Sequence, residues 1–145
     1  MPKPNNTQVQ QLSWQEGKTA LQDIRHRVFI EEQQVPAELE WDDEDLGAAH
    51  FLLTQEDGQA LACARLLASG QIGRMAALAP YRAQGLGRQL LTFVIDWASQ
   101  HGYPPLFLHA QNHAITFYES MGFVVEGDEF IDAGIPHHTM NFQRK

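Results

Sequence analysis

The sequence predicts an α/β protein whose sheet is mixed and mostly antiparallel, flanked by helices. Three observations lead there. Apolar runs separated by Glu56-Asp57-Gly58 and by Ser69-Gly70 place three strands in succession, which short turns can pair only antiparallel. Apolar residues then recur at helical spacing in segments on either side of that meander. No internal repeat or low-complexity linker divides the 145 residues, a length that fits one domain, 1–145, with a proper core.

In chain order, "TQVQQLSW" alternates weakly and reads as a first strand. Ser13 and Glu16 have capping-box spacing, and Leu21, Ile24 and Val28 continue on one helical face until Gln33 or Gln34, before Pro36. An acidic loop follows. "AHFLLTQ" and "QALACARLL" form a hairpin, and "GQIGRMAAL" adds a third strand that Pro80 ends. From Gly87 to Gln100 the chain is helical, with Leu90, Leu91, Val94, Ile95 and Ala98 on one face and Gly102 as the stop. "PLFLHA" is a short buried strand. Ala114, Phe117, Tyr118 and Met121 line a further helix closed by Gly122. The remainder reads as strand "FVVEG", a loop through "DAGIPHH" and a last strand "TMNFQ".

Charge is unevenly distributed. The net charge of −8 argues against nonspecific nucleic-acid binding. Between Glu31 and Asp45 stand eight acids and no Lys or Arg; between Gly58 and Ile95 stand four arginines (Arg65, Arg74, Arg82, Arg88) and no acid. The first segment could draw a cation and the second an anion, or the first is only a solvated loop. No apolar run reaches the length of a membrane span and the start lacks a signal-peptide core, so the expected location is cytoplasmic, with no membrane partner.

The stretch "RAQGLGRQLL" sets two glycines, Gly85 and Gly87, at the mouth of an apolar helix. Either they only turn the chain or they let its backbone approach a charged group. A helix N-terminus offers N–H groups without partners, glycine removes the Cβ that would hold a phosphate away, and Arg82 and Arg88 add donors. A pyrophosphate suits such a turn. The dinucleotide fingerprint fails because Leu90 occupies its third glycine position, and no Gly-Lys-Ser/Thr completes a Walker loop.

"APYRAQGLGRQLL" resembles the acetyl-CoA-binding motif of the GCN5-related N-acetyltransferase (GNAT) superfamily, Gln/Arg-x-x-Gly-x-Gly/Ala. "QNHAITFYESMGF" is similar to its next motif, in the same order and spacing, and the strand order matches over nearly the whole chain. "VFIEEQQVP", "ELEWDDED" and "GIPHHTM" look like the small bacterial ElaA/YjcF-type branch. The resemblance implies a GNAT-type acyl-CoA N-acyltransferase fold and acetyl-CoA as co-substrate, without metal. It implies that Met75, Ala76 and Ala77 pair with the pantetheine arm through their backbones, an N–H near Ala76 or Ala77 polarising the thioester carbonyl. Residues Ala83, Gln84, Gly85, Leu86, Gly87 and Arg88, with Arg82, would cradle the pyrophosphate. Tyr118 would return a proton to the departing thiolate, a phenol near pKa 10 being only slightly weaker an acid than a thiol near 8.5. Many members carry Asn seven residues before that tyrosine; here Gln111 holds the position, with the same amide on a longer stem. Members are often homodimers.

Candidates for the base that deprotonates the amine are Glu32, Glu40, His50 and His137, with Glu40 and His137 preferred. The acceptor is expected to be a primary amine of a small molecule, peptide or protein, and cationic if the acidic segment recruits it. His109 and His113 straddle a strand–helix junction and lack the Glu of His-Glu-x-x-His, which weighs against a metal site. Cys63 reads as a small buried residue. The rival reading is a non-catalytic acyl-CoA-binding or regulatory module.

Overall fold

Ser13 and Glu16 close a reciprocal cap in the computed structural model, which describes residues 6–143: Glu16 N–H donates to Ser13 Oγ at 3.2 Å and Ser13 N–H to Glu16 Oε1 at 2.9 Å. That cap follows strand β1 (Gln8–Leu12) and starts helix α1 (Trp14–Arg25). The helix continues as a wider π-type segment, His26–Glu32, in which Gln33 N–H reaches Val28 C=O at 3.0 Å. The extension carries Glu32 and Gln33 to the wall of a cavity described below. The acidic segment contains one short helical turn, α2 (Ala37–Glu40). Strands β2 (Ala49–Thr54), β3 (Ala60–Leu66) and β4 (Gln71–Ala77) form the meander expected from the turn residues.

Helix α3 (Leu86–Gln100), strand β5 (Phe107–Gln111), helix α4 (Ile115–Ser120) and strands β6 (Phe123–Asp132) and β7 (Ile135–Phe142) complete the described chain. The seven-stranded sheet has the order β1-β2-β3-β4-β5-β7-β6, and every neighbouring pair is antiparallel except β4 and β5. Helix α1 and its π-type extension bury Leu21, Ile24, Val28 and Phe29 with Leu52, Cys63, Ala76 and Leu78. Helix α3 buries Leu86, Leu90, Leu91, Val94 and Ala98 in a second cluster with Phe51, Leu53, Leu61 and Leu66. Two apolar helix faces on one sheet make the core. Cys63 lies inside it, and burial pushes its thiol up to about 12.

The tail differs from the expectation. β6 runs to Asp132 and β7 starts at Ile135, so Ala133-Gly134 is a two-residue turn instead of a loop through His138. Both turn residues are left-handed, φ +52 and +78, the geometry of a tight hairpin. Alanine in such a position hides the turn from a reading by residue type.

Candidate active site

Strands β4 and β5 pair only at Gln71–Phe107 and Ile72–Leu108, after which they part. A bulge in β4 accompanies the separation: its register with β3 shifts between Cys63 and Arg65, and Arg74 takes φ +48. Beyond it, Leu78 N–H donates to Leu61 C=O on the β3 side. Strand alternation therefore turns the backbone of Ala77, and of Met75, toward the gap. Among the described residues no strand pairs with β4 there, and the Ala77 carbonyl is met by Arg82 Nε at 2.9 Å.

Two cavities meet at this edge. The first, about 460 Å³, lies between β4, the turn before α3, and α4; Met75, Ala76, Ala77, Arg82, Ala83, Gly85, Leu86, Gly87 and Arg88 line it, and Gln84 does not. Ala83 and Gly85 are left-handed, φ +63 and +82, and helix α3 begins at Leu86 with no side-chain cap. Its first N–H groups are thus offered to an anion. A Cβ on Gly85 would meet nothing within 4 Å, so the space over the turn is open, whereas one on Gly87 would touch Phe117 Cζ at 3.4 Å. Arg88 is held by neutral partners, Ser120 Oγ at 3.1 Å and Met121 Sδ at 3.2 Å, and no carboxylate among the described residues pairs with it. An uncapped helix end, an open glycine turn and a guanidinium fit a pyrophosphate.

The second cavity, about 770 Å³, lies on the other side of the β4 edge and shares Met75, Ala76, Ala77, Arg82, Ala114 and Tyr118 with the first. Tyr118 donates from its hydroxyl to Met75 Sδ at 3.7 Å. Burial pushes its phenol up to about 12, so it remains a protonated donor throughout the neutral range. The near match to a thiol expected from ordinary values is therefore lost for the phenol alone.

The base candidates separate by position. His50 is buried beneath Trp14 with Nε2 on Asp45 C=O at 2.8 Å and borders neither cavity, which removes it. Glu32 lines the second cavity, but the Arg82 fork grips both its oxygens at 2.5 and 2.7 Å and holds its carboxyl below the usual range. Glu40 also lines it; burial raises its carboxyl against the pull of Arg74 and Arg25. His137 lines it with Nδ1 2.7 Å from Ile135 C=O, so the proton sits on Nδ1 and Nε2 is the basic nitrogen.

Gln111 belongs to the second cavity and not to the first. Its amide donates to Gln33 Oε1 at 2.9 Å, joining the end of β5 to the end of the first helix. A contact of Gln111 with a pantetheine arm in the first cavity is thus not what this conformation offers. Gln33, Arg74 and His109 also line the second cavity, although the sequence gives none of them a part in acetyl transfer.

The charge segregation seen in the sequence is largely undone by folding. Arg25 binds Glu40 at 2.7 Å and Asp45 at 2.8 Å, and Arg65 binds Asp42 at 2.8 Å and Asp45 at 3.0 Å. Arg74 contacts Glu40 and Asp42, both at 3.1 Å. The acidic segment is therefore neither an unopposed negative field nor a merely solvated loop, and Arg65, Arg74 and Arg82 are not free to draw an anion. Among the described residues no group of three His, Cys, Asp or Glu is placed to hold a metal ion, and no helix is long and apolar enough to cross a membrane.

Residues 9–144 match the family described as acetyltransferase (GNAT) domain. The uncharacterized N-acetyltransferase YjcF of Bacillus subtilis is 32% identical over 120 residues, covering 81% of this chain and 86% of that protein. An acyl-CoA N-acyltransferase from Pseudomonas aeruginosa superposes with a TM-score of 0.85 at 30% identity, over 95% of this chain and 100% of that one. Escherichia coli ElaA does so with a TM-score of 0.85 at 28% identity, over the same 95% and 100%. The chain belongs to the GNAT acetyltransferase family, in its ElaA/YjcF-like part, and is an acyl-CoA-dependent N-acetyltransferase with acetyl-CoA as co-substrate.

Proposed function

We propose that the chain acts as a single N-acetyltransferase domain, in the cytoplasm, on the primary amine of a small molecule, peptide or protein. The amine attacks acetyl-CoA directly while both are bound. The observation that carries this reading is the meeting of two cavities at Met75–Ala77 and Tyr118. One substrate can enter from each side and react at the shared wall without a covalent enzyme intermediate.

Acetyl-CoA supplies the thioester carbonyl that the amine attacks. The α3 N-terminus, Gly85, Gly87 and Arg88 hold the pyrophosphate. Met75 and Ala77 present gap-facing backbone groups to the pantetheine arm, and the Ala77 N–H is the donor turned toward the carbonyl oxygen. His137 Nε2 takes the amine proton, directly or through water, and the Tyr118 hydroxyl donates toward the departing sulfur. Glu40 is the second choice for the base, because its oxygens are engaged by arginines. A cationic acceptor retains the support of the net charge of −8 and of Asp132 on the second cavity. Thiol release from acetyl-CoA across a panel of amines tests the reading: transfer to at least one supports it, and binding without transfer favours an acyl-CoA-sensing module.

A further inference from the structure

The stretch Met75–Ala77 has strand β3 behind it and, among the described residues, no strand in front. Something other than sheet pairing must fix the direction of its backbone groups. Each end of the stretch is tied by an arginine, and each arginine is tied by an acid of the Glu31–Asp45 segment.

At the near end, Arg74 holds a left-handed backbone, φ +48, that is strained for a residue with a Cβ. Its Nη2 donates to Leu39 C=O at 3.3 Å, Glu40 C=O at 3.1 Å and Asp42 Oδ2 at 3.1 Å. At the far end, Arg82 donates from Nε to Ala77 C=O at 2.9 Å while Glu32 fixes its guanidinium through both oxygens. Glu40, Asp42 and Asp45 are themselves anchored to α1 and β3. Arg25 spans Glu40 and Asp45 with its guanidinium 5.0 Å from the Trp41 ring, and Arg65 spans Asp42 and Asp45. Arg25, Arg65, Glu40 and Asp45 are all buried.

We infer that the acidic segment is a clamp on the reacting edge of β4: Glu32 acting through Arg82, and Asp42 with Glu40 acting through Arg74, are positioning residues that aim the Met75–Ala77 backbone at the thioester. The inference rests on the acetyl-transfer reading for its kinetic consequence, and on the ion pairs alone for its structural one. A clamp and an electrostatic lure make opposite demands on the acids. A lure needs carboxylates that are not neutralised; a clamp needs those that are. Asp43 and Glu44 stand on the same segment and form no ion pair among the described residues, whereas Glu32 and Asp42 do.

Two double variants separate the accounts, because each removes two negative charges from one segment. In Glu32→Gln/Asp42→Asn, kcat should fall at least about tenfold through misaimed groups, while KM for the amine stays within about twofold. Amide hydrogen exchange at Met75–Ala77 should quicken. Asp43→Asn/Glu44→Gln should match wild type in both, and Glu32→Asp should recover most of the kcat lost in Glu32→Gln. Glu32 and Asp42 are partly exposed, so the fold should tolerate their loss, and single Glu32→Gln serves if the double does not fold. An equal rise of amine KM in both doubles, or unchanged kcat and unchanged exchange in the first, overturns the clamp. If the wild-type protein transfers acetyl to no amine, the functional reading fails, and the exchange rates at Met75–Ala77 still decide the clamp.

Discussion

The Tyr118 hydroxyl points at the sulfur of Met75, 3.7 Å away, so the residue expected to donate a proton is seated against the strand expected to hold the thioester. Both side chains border both cavities. Donor and reacting edge therefore share one boundary, whichever substrate binds first.

Replacing Tyr118 with Phe keeps the apolar ring and removes the donor. Turnover should fall by about 10²–10⁴-fold, the usual worth of general acid catalysis, while acetyl-CoA affinity is kept. Steady-state kinetics alongside calorimetric binding would check this, and a Phe variant as fast as wild type would reduce Tyr118 to packing. The raised phenol also has a stability consequence. Between about pH 10 and 12 the unfolded chain releases a proton that the folded chain retains, so stability falls as pH rises through that window. The Phe variant should show a shallower fall.

Gly85 and Gly87 should respond differently to a side chain. Gly85→Val forces a β-branched residue to φ +82 and fills the open space over the turn, so acetyl-CoA binding should weaken by roughly 1.5–3 kcal/mol, a lost charge-assisted contact. Gly87→Val meets the Phe117 ring and should cost stability as well as binding. Calorimetry and thermal melts on both variants separate the two effects; undiminished affinity in a folded Gly85→Val protein would move the pyrophosphate elsewhere.

His137→Gln should lower kcat/KM for the amine by about 10²–10⁴-fold without changing acetyl-CoA affinity, as loss of a general base does. Glu40→Gln should instead lower the melting temperature, because it leaves Arg25 buried without one of its two carboxylate partners. If Glu40→Gln is the stable and slow variant and His137→Gln the active one, the two roles are exchanged.

Acid should unfold the protein in two stages. Burial lowers the His50 pKa, so on falling pH the unfolded chain takes up a proton from about 6.5 while the folded chain does not, and stability declines from there. Desolvation is the largest influence on Asp42, yet the Arg65 hydrogen bond, the charges of Arg65 and Arg74 and the Glu44 N–H together lower its carboxyl, and Arg82 depresses Glu32; their contribution is present above about pH 4 and is lost as pH falls through their lowered values. Denaturant melts against pH would resolve the stages. His50→Asn should flatten the upper slope, to which His109 also contributes, and Glu32→Gln/Asp42→Asn should flatten the lower, to which Glu16 also contributes.

What the sequence disclosed was what is local. A cap spans Ser13 to Glu16, a hairpin needs Asp57-Gly58, and an anion turn needs Gly85, Gly87 and a helix, so each is written within a few residues. The ion pairs are not local: Arg25, Arg65 and Arg74 come from α1, β3 and β4 to meet one acidic segment, and their joining depends on the completed sheet. That is why eight acids read as a field when four of them are matched by arginines. His50 misled as a base candidate for the same reason, since only the fold reveals that it lies under Trp14. Gln111 fitted a motif position, but its pairing with Gln33, 78 residues away, places it on the other cavity.

The most direct measurement is thiol release from acetyl-CoA with product detection by mass, comparing wild type, Tyr118→Phe and Gly85→Val on the same amine panel. The account predicts acetylated amine in equal amount to released thiol for wild type, slow turnover with intact acetyl-CoA binding for Tyr118→Phe, and weak acetyl-CoA binding for Gly85→Val. Wild-type protein that binds acetyl-CoA tightly and acetylates nothing, or a Tyr118→Phe variant that works at full speed while chemistry limits the rate, would contradict it.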